Sequence, residues 1–143
     1  MAFRAQQMFV NLPVKDLKRS MAFFGEIGFE FDMNFTDDNA ACMVIGENIY
    51  AMLLVEDYFR TFVTKDIANA AATAEAIFAL SVESREEVDT VVNRALAAGG
   101  KPSSNKADHG FMYQWSFQDV DDHLWEVFYM DMNAAQDPNA AQA

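Results

Sequence analysis

The sequence predicts an α+β fold made of two tandem βαβββ modules, and three observations carry that reading. The first is a repeat: Phe9-Val-Asn-Leu-Pro-Val-Lys-Asp16 returns later as Ile77-Phe-Ala-Leu-Ser-Val-Glu-Ser84. A constant offset of 68 residues relates Phe9 to Ile77, Val14 to Val82 and Asp16 to Ser84. The second is that each alternating run passes into a segment of helical periodicity that stops at glycine, Gly28 in one copy and Gly99-Gly100 in the other. The third is that three strand-like runs follow each helix. A duplicated unit of this size points to two similar modules building one site between them.

The elements follow in order. Met8 to Val14 alternates and suits a strand, with Pro13 placing it at an edge or near its end. Asp16 is the expected N-cap of a helix over Leu17 to Ile27, whose Leu17, Met21, Phe24 and Ile27, with Phe23 beside them, share one face. Strands are expected at Phe29 to Phe35, Ala40 to Ile45 and Asn48 to Val55, with turns at Asp37-Asp38-Asn39 and Gly46-Glu47-Asn48. The Ala-rich stretch 65–75 has no bulky periodicity and reads as a linker between module 8–64 and module 76–131. The second module repeats the order: a strand at Ala76 to Val82, and a helix to Ala98 opened by Ser84 and Glu87 as a capping box. Strands then fall at Lys101 to Ser104, Gly110 to Gln118 and His123 to Met130. Residues 1–132 thus form one domain, and 133–143 have the composition of a disordered tail.

Composition narrows the partners. The 143 residues are 52% hydrophobic, with 13 Phe, 4 Tyr and 2 Trp, enough to fill a sizeable core. A formal charge of −12 with no run of Lys or Arg opposes phosphate backbones and anionic lipid surfaces, so neither nucleic acid nor a membrane is expected as a partner. Cys42 is alone, which excludes an intrachain disulfide. The first residues lack the apolar core of a secretion signal, and a cytoplasmic location is expected.

Two motifs carry a family resemblance. Val10-Asn-Leu-Pro-Val-Lys-Asp-Leu-Lys-Arg-Ser-Met-Ala-Phe-Phe24 resembles a strand, Val-x-Asp-Leu, then Ser-x-x-Phe-Tyr, and Asp119-Val-Asp-Asp-His-Leu-Trp-Glu126 resembles Asp-Pro-Asp-Gly-x-x-x-Glu. Both are patterns of the vicinal oxygen chelate superfamily, which includes glyoxalase I, extradiol dioxygenases, and fosfomycin- and bleomycin-resistance proteins. The chain looks most like the small bacterial glyoxalase-related members, from Met8 to Asp131. Val120 and Asp122 depart from the second pattern, and Asp122 tolerates the positive φ that the family's Gly supplies.

The resemblance implies a cupped mixed β-sheet with the helices outside, a homodimer, and a divalent metal held in the cup by residues of the first and fourth strands of each module. Carried over by position, those sites fall on Phe9, Met52, Ile77 and Glu126, of which only Glu126 has a ligand-type side chain. An ion needs three or four suitable donors, or several oxygens, so no metal or other cofactor is expected. A shifted register leaves open a weaker set of Gln7, Asn11 and Glu126. His109 and His123 fall at no ligand position and read as surface histidines near turns.

By alternation the cup is lined by Phe9, Asn11, Tyr50, Met52, Leu54, Ile77, Ala79, Ser81, Gln114, Ser116, Leu124, Glu126 and Phe128. Apolar walls with a few polar groups are what small-molecule sites use, though the same side chains could simply fill the cup as core. Glu126, flanked by Trp125, Val127 and Phe128, is the one candidate for chemistry, as a general acid or base or as a ligand acceptor. Its alternative is a structural carboxylate paired with Asn11, Gln114 or water. Three functions stay open: a metal-free protein binding a small, partly apolar organic molecule; a glyoxalase-type lyase or dioxygenase using Glu126; and a dimeric structural or regulatory module with a filled cup. Tyr58, Phe59 and Phe62 are a lid, a subunit contact, or a short helix on their own module.

Overall fold

A computed structural model describes residues 2–135, and the chain divides into two compact units, Met1–Asn69 and Ala70–Ala143. The first unit contains β1 (Met8–Val14), α1 (Leu17–Ile27), β2 (Glu30–Asp32), a 3-10 turn (Met33–Phe35), β3 (Ala40–Gly46), β4 (Ile49–Val55) and α2 (Glu56–Arg60). Its four strands lie in the order β1-β4-β3-β2, with β1 parallel to β4 and the other pairs antiparallel.

Local chemistry sets these boundaries. Asp16 is extended and its carboxylate accepts the Arg19 N–H at 3.2 Å, which satisfies a donor that the first turn of α1 leaves unpaired. Gly28 ends α1 at φ +123°, where a Cβ would be strained, and Phe29 N–H donates to Phe24 O at 3.0 Å. The strand expected over Phe29 to Phe35 stops at Asp32. There the Asp32 carboxylate accepts the Asn34 N–H at 3.0 Å, and this side-chain cap turns the backbone into the 3-10 turn instead.

The second unit contains β5 (Ile77–Ser81), α3 (Arg85–Ala97), β6 (Lys101–Pro102), β7 (Ala107–Asp108), β8 (Met112–Gln118), β9 (Leu124–Met130) and α4 (Met132–Ala135). Its path is β5-β9-β8-β6, with β7 also on β8, and β5 runs parallel to β9. The topology of the first unit is thus repeated with one added strand. The expected strand at Lys101 to Ser104 shortens to two residues, and Gly110 to Gln118 begins two residues later. β7, which the sequence reading missed, pairs only two residues with β8. Ser84 caps α3 by accepting Glu87 N–H at 3.1 Å, but Glu87 reaches back to the Glu83 N–H rather than to that of Ser84. The helix Met132–Ala135 enters the segment expected to be a disordered tail, and the rest of that tail lies outside the described residues.

Each unit has its own core, between its helix and one sheet face. In the first, Leu17, Phe23, Phe24 and Ile27 of α1 are buried along with Leu12, Val14, Ala41, Met43, Ala51 and Leu53 of the strands. In the second, Val88, Val92 and Ala95 of α3 are buried along with Phe117, Trp125 and Val127. The β8–β9 turn is tied to the second core by Asp119. Its buried carboxylate accepts Trp125 Nε1–H at 2.9 Å and the backbone N–H groups of Asp121 and His123 at 2.9 and 3.0 Å. Asp122 takes the positive φ expected of it, at +68°. Among the described residues, no helix is long and apolar enough to cross a membrane.

Candidate functional site

Sheet register decides which side chains share a face, because residues directly opposite on neighbouring strands project to the same side. On the face opposite α1, one row runs Phe9, Tyr50, Val44 and Glu30, and the next runs Asn11, Met52, Cys42 and Asp32. In the second unit, on the face opposite α3, the rows are Ile77, Leu124, Gln118 and Lys101; then Ala79, Glu126 and Ser116; then Ser81, Phe128, Gln114 and Ala107. The residues expected to line a site therefore gather into one face in each unit, with each of Phe9, Asn11, Tyr50 and Met52 in the first and each of Ile77, Gln114, Ser116, Glu126 and Phe128 in the second.

Register also matches the two units position by position. Phe9 pairs with Tyr50 as Ile77 pairs with Leu124, and Asn11 pairs with Met52 as Ala79 pairs with Glu126. The row that holds Glu126 in one unit holds Met52 in the other. Cys42 and Asp32, absent from the sequence-based lining, belong to that same first-unit row. The signal for them was the turn at residues 46–48, which sets the β3–β4 register and so carries the face of Met52 across to Cys42. Cys42 is buried, and burial, reinforced by the Asp32 carboxylate, pushes its thiol pKa up and keeps it protonated.

The two faces differ in character. Phe9 and Tyr50 stack with centroids 4.7 Å apart and planes 12° from parallel, while the Tyr50 hydroxyl donates to Glu47 O at 3.3 Å. Phe9 remains 47% exposed and Ile77 60% exposed. Ser116, opposite Glu126, is committed elsewhere: its Oγ accepts the Ser104 N–H at 2.8 Å and is hydrogen-bonded to the Ser104 hydroxyl. The half-buried Glu126 carboxylate makes no hydrogen bond or ion pair with any other described residue of its own unit, Gln114 included. Tyr113, on the opposite face, donates to Asp89 of α3 at 2.6 Å, and burial followed by that hydrogen bond pushes its pKa up to about 12.

A family model described as bleomycin resistance protein-like N-terminal matches residues 6–46, which span β1, α1, β2 and β3. A hypothetical protein of S. aureus, SA1046, shares 27% identity over 89% of this chain and 95% of its own, with a TM-score of 0.76. A glyoxalase-related enzyme of Fulvimarina pelagi has the same fold at 21% identity, over 87% of this chain and 88% of its own, with a TM-score of 0.73. The fosfomycin resistance protein FosX of Listeria monocytogenes has it at 20% identity, over 89% and 92%, with a TM-score of 0.64. The chain thus has the fold of glyoxalase and bleomycin-resistance proteins, and it resembles the vicinal oxygen chelate superfamily. No curated protein matches it by sequence.

Resemblance to the vicinal oxygen chelate superfamily brings the question of its metal. Phe9 and Ile77 carry no donor atom, Met52 carries a thioether suited only to soft ions, and Glu126 carries one carboxylate. Among the described residues, no three His, Cys, Asp or Glu side chains come together as a cation site. On this donor chemistry the four positions do not fit a hard or borderline divalent ion. His109 is exposed at the β7–β8 turn. His123, expected at the surface, is instead half-buried, and its charge acts on Asp119. Residues 56–60 of the aromatic segment form α2, which packs on β1 and β4 of its own unit. Tyr58 and Phe62 meet edge to face at 5.0 Å and remain exposed, and Phe59 is half-buried.

Proposed function

We propose that this chain is a vicinal oxygen chelate protein that binds a small, partly apolar organic molecule without the superfamily's metal, in a sequestering or resistance-type role. One observation supports it above the others: at the four positions where the family holds its ion, this chain has Phe9, Met52, Ile77 and a Glu126 with no side-chain partner among the described residues. Apolar walls with one free acceptor suit recognition of an organic molecule that has a donor group. Glu126 supplies that acceptor, and Asn11 and Gln114 supply further polar contacts. The protein acts in the cytoplasm as a homodimer, with the exposed rings of Tyr58 and Phe62 as a contact between copies.

A second reading is a glyoxalase-type lyase or dioxygenase, and the Glu126 carboxylate, unpaired among the described residues, favours it. Calorimetric titration of chelator-stripped protein with nickel, zinc, manganese and iron(II) separates the two. No stoichiometric heat is expected for any ion, whereas tight binding lost in Glu126→Gln would replace the metal-free reading with the enzymatic one. In parallel, the neutral dye Nile red should bind saturably, and Glu126→Gln should change its affinity. Absence of dye uptake would leave only a structural module with filled faces.

A further inference from the structure

We propose that the Phe9–Tyr50 pair is a stacking platform for a planar, positively charged aromatic molecule, an assignment that narrows the small-molecule reading above and rests on it. The two rings are nearly parallel and already in stacking contact, at 12° and 4.7 Å. The Tyr50 hydroxyl is tethered to the Glu47 carbonyl, so one member of the pair is held before any ligand arrives. β1 is an outer strand of its sheet and Phe9 keeps 47% of its surface exposed, which leaves ring surface on which a third aromatic system can continue the column. The matching positions of the second unit, Ile77 and Leu124, are aliphatic, so the duplicated face offers no equivalent platform.

Charge selects the sign of the ligand. Not one residue of β1, β2, β3 or β4 is basic, while Glu30 and Asp32 stand in the same two rows as Phe9, Tyr50, Asn11 and Met52. Glu47 lies at the turn that holds Tyr50. Together with a net charge of −12, these carboxylates place the platform in a negative field that raises the local concentration of cations and repels anions. A flat cation of two or three fused rings satisfies both features, the stacking geometry and the field. Bulky aliphatic or anionic molecules satisfy neither.

The test is fluorescence titration of the full chain with proflavine, a tricyclic cation, against anthracene-2-sulfonate, a tricyclic anion, in about 0.15 M salt. Proflavine should bind saturably, and the sulfonate at least about ten-fold more weakly. Phe9→Leu should weaken proflavine binding about five- to ten-fold, Phe9→Trp should retain it, and Phe62→Leu, which removes an exposed ring elsewhere, should leave it unchanged. Because Phe9 is half exposed, its replacement by Leu leaves the α1 core intact, and unchanged thermal unfolding verifies this. The platform is overturned if Phe9→Leu binds proflavine like the unaltered chain, if Phe62→Leu loses as much affinity, or if the anion binds equally well. Nile red uptake that depends on Glu126, with proflavine indifferent to Phe9, would refute the platform alone. Failure of both dyes to bind would refute the broader reading with it.

Discussion

The two units solve the same packing problem with opposite distributions of bulk. In the first, the helix supplies the large side chains, Phe23 and Phe24 meeting edge to face at 5.0 Å, and the sheet beneath is small, with Ala41 and Ala51 fully buried. In the second, the helix is small, with Val88, Val92 and Ala95, and the sheet is large, with Phe117 and Trp125 stacked at 6.5 Å and Phe78 5.1 Å from Trp125. The exchange is position for position: Ala51 lies opposite Val10 where Trp125 lies opposite Phe78, and Met43 lies opposite Ala51 where Phe117 lies opposite Trp125. Large side chains on one layer thus face small ones on the other in both units, as close packing demands, while the identity at any one site is free to change.

The largest way to break this comparison is to remove bulk from whichever layer carries it. Trp125→Ala and Phe23→Ala should each destabilise the protein by about 3–5 kcal/mol, measured by urea unfolding, because both leave a cavity that small partners cannot fill. Adding bulk to the small layer should also destabilise, with Ala51→Leu costing about 1–3 kcal/mol through overpacking. A neutral result for Ala51→Leu would mean that the first core has slack, contrary to its full burial.

A medium effect concerns Asp119, which has no counterpart in the first unit's β3–β4 turn. Asp119→Ala strands the donors of Trp125, Asp121 and His123 and should cost about 1–3 kcal/mol or more. Burial raises the Asp119 pKa above the ordinary 3.8, partly opposed by the charge of His123 and the three hydrogen bonds. A raised native value means the fold favours the protonated form. The contribution of ionisation to stability is therefore most favourable below about pH 3.8 and declines as pH rises through the native value. Relative to the non-titrating Asp119→Asn, the unaltered chain should lose stability over that rise, as read from urea midpoints between about pH 3 and pH 7. A flat or opposite difference would show that the hydrogen bonds outweigh burial.

The smallest expected effects test where the units agree most closely. Asp16 and Ser84 cap their helices at equivalent repeat positions, by accepting the N–H groups of Arg19 and Glu87. Replacement of either by Ala should cost about 1 kcal/mol, and equal losses would mark the cap as the conserved local element of the repeat.

These same positions show what could be read from the sequence. Both caps, the span of α1 and the bounds of β1 were legible because each rests on a local signal: a capping side chain, a glycine stop, or strict alternation. The offset of 68 residues holds from Phe9 and Ile77 through the helix starts at Leu17 and Arg85, then widens, first because α3 has 13 residues to the 11 of α1 and again over the segment that adds β7 before β8. Two-residue strands such as β6 and β7 give no periodicity to detect, and β2 was overextended because Asp32 acts through its side chain, not its β propensity. On the candidate site, alternation placed Phe9 with Asn11 and Leu124 with Glu126. It could not reveal that Phe9 stacks on Tyr50, nor that Asp32 and Cys42 join the row of Met52, because those are cross-strand facts set by register.

The hydrogen bond from Trp125 to Asp119 also gives the molecule an uneven optical signature. Both tryptophans, Trp115 and Trp125, belong to the second unit: Trp125 is sealed in the core against a carboxylate, and Trp115 has the Lys106 ammonium 4.5 Å from its ring centroid. The first unit contains none, so indole emission reports directly on the surroundings of Trp115 and Trp125 in the second unit. Far-ultraviolet dichroism sees both halves, and a gap between the two melting curves would time the loss of one half against the other without any label.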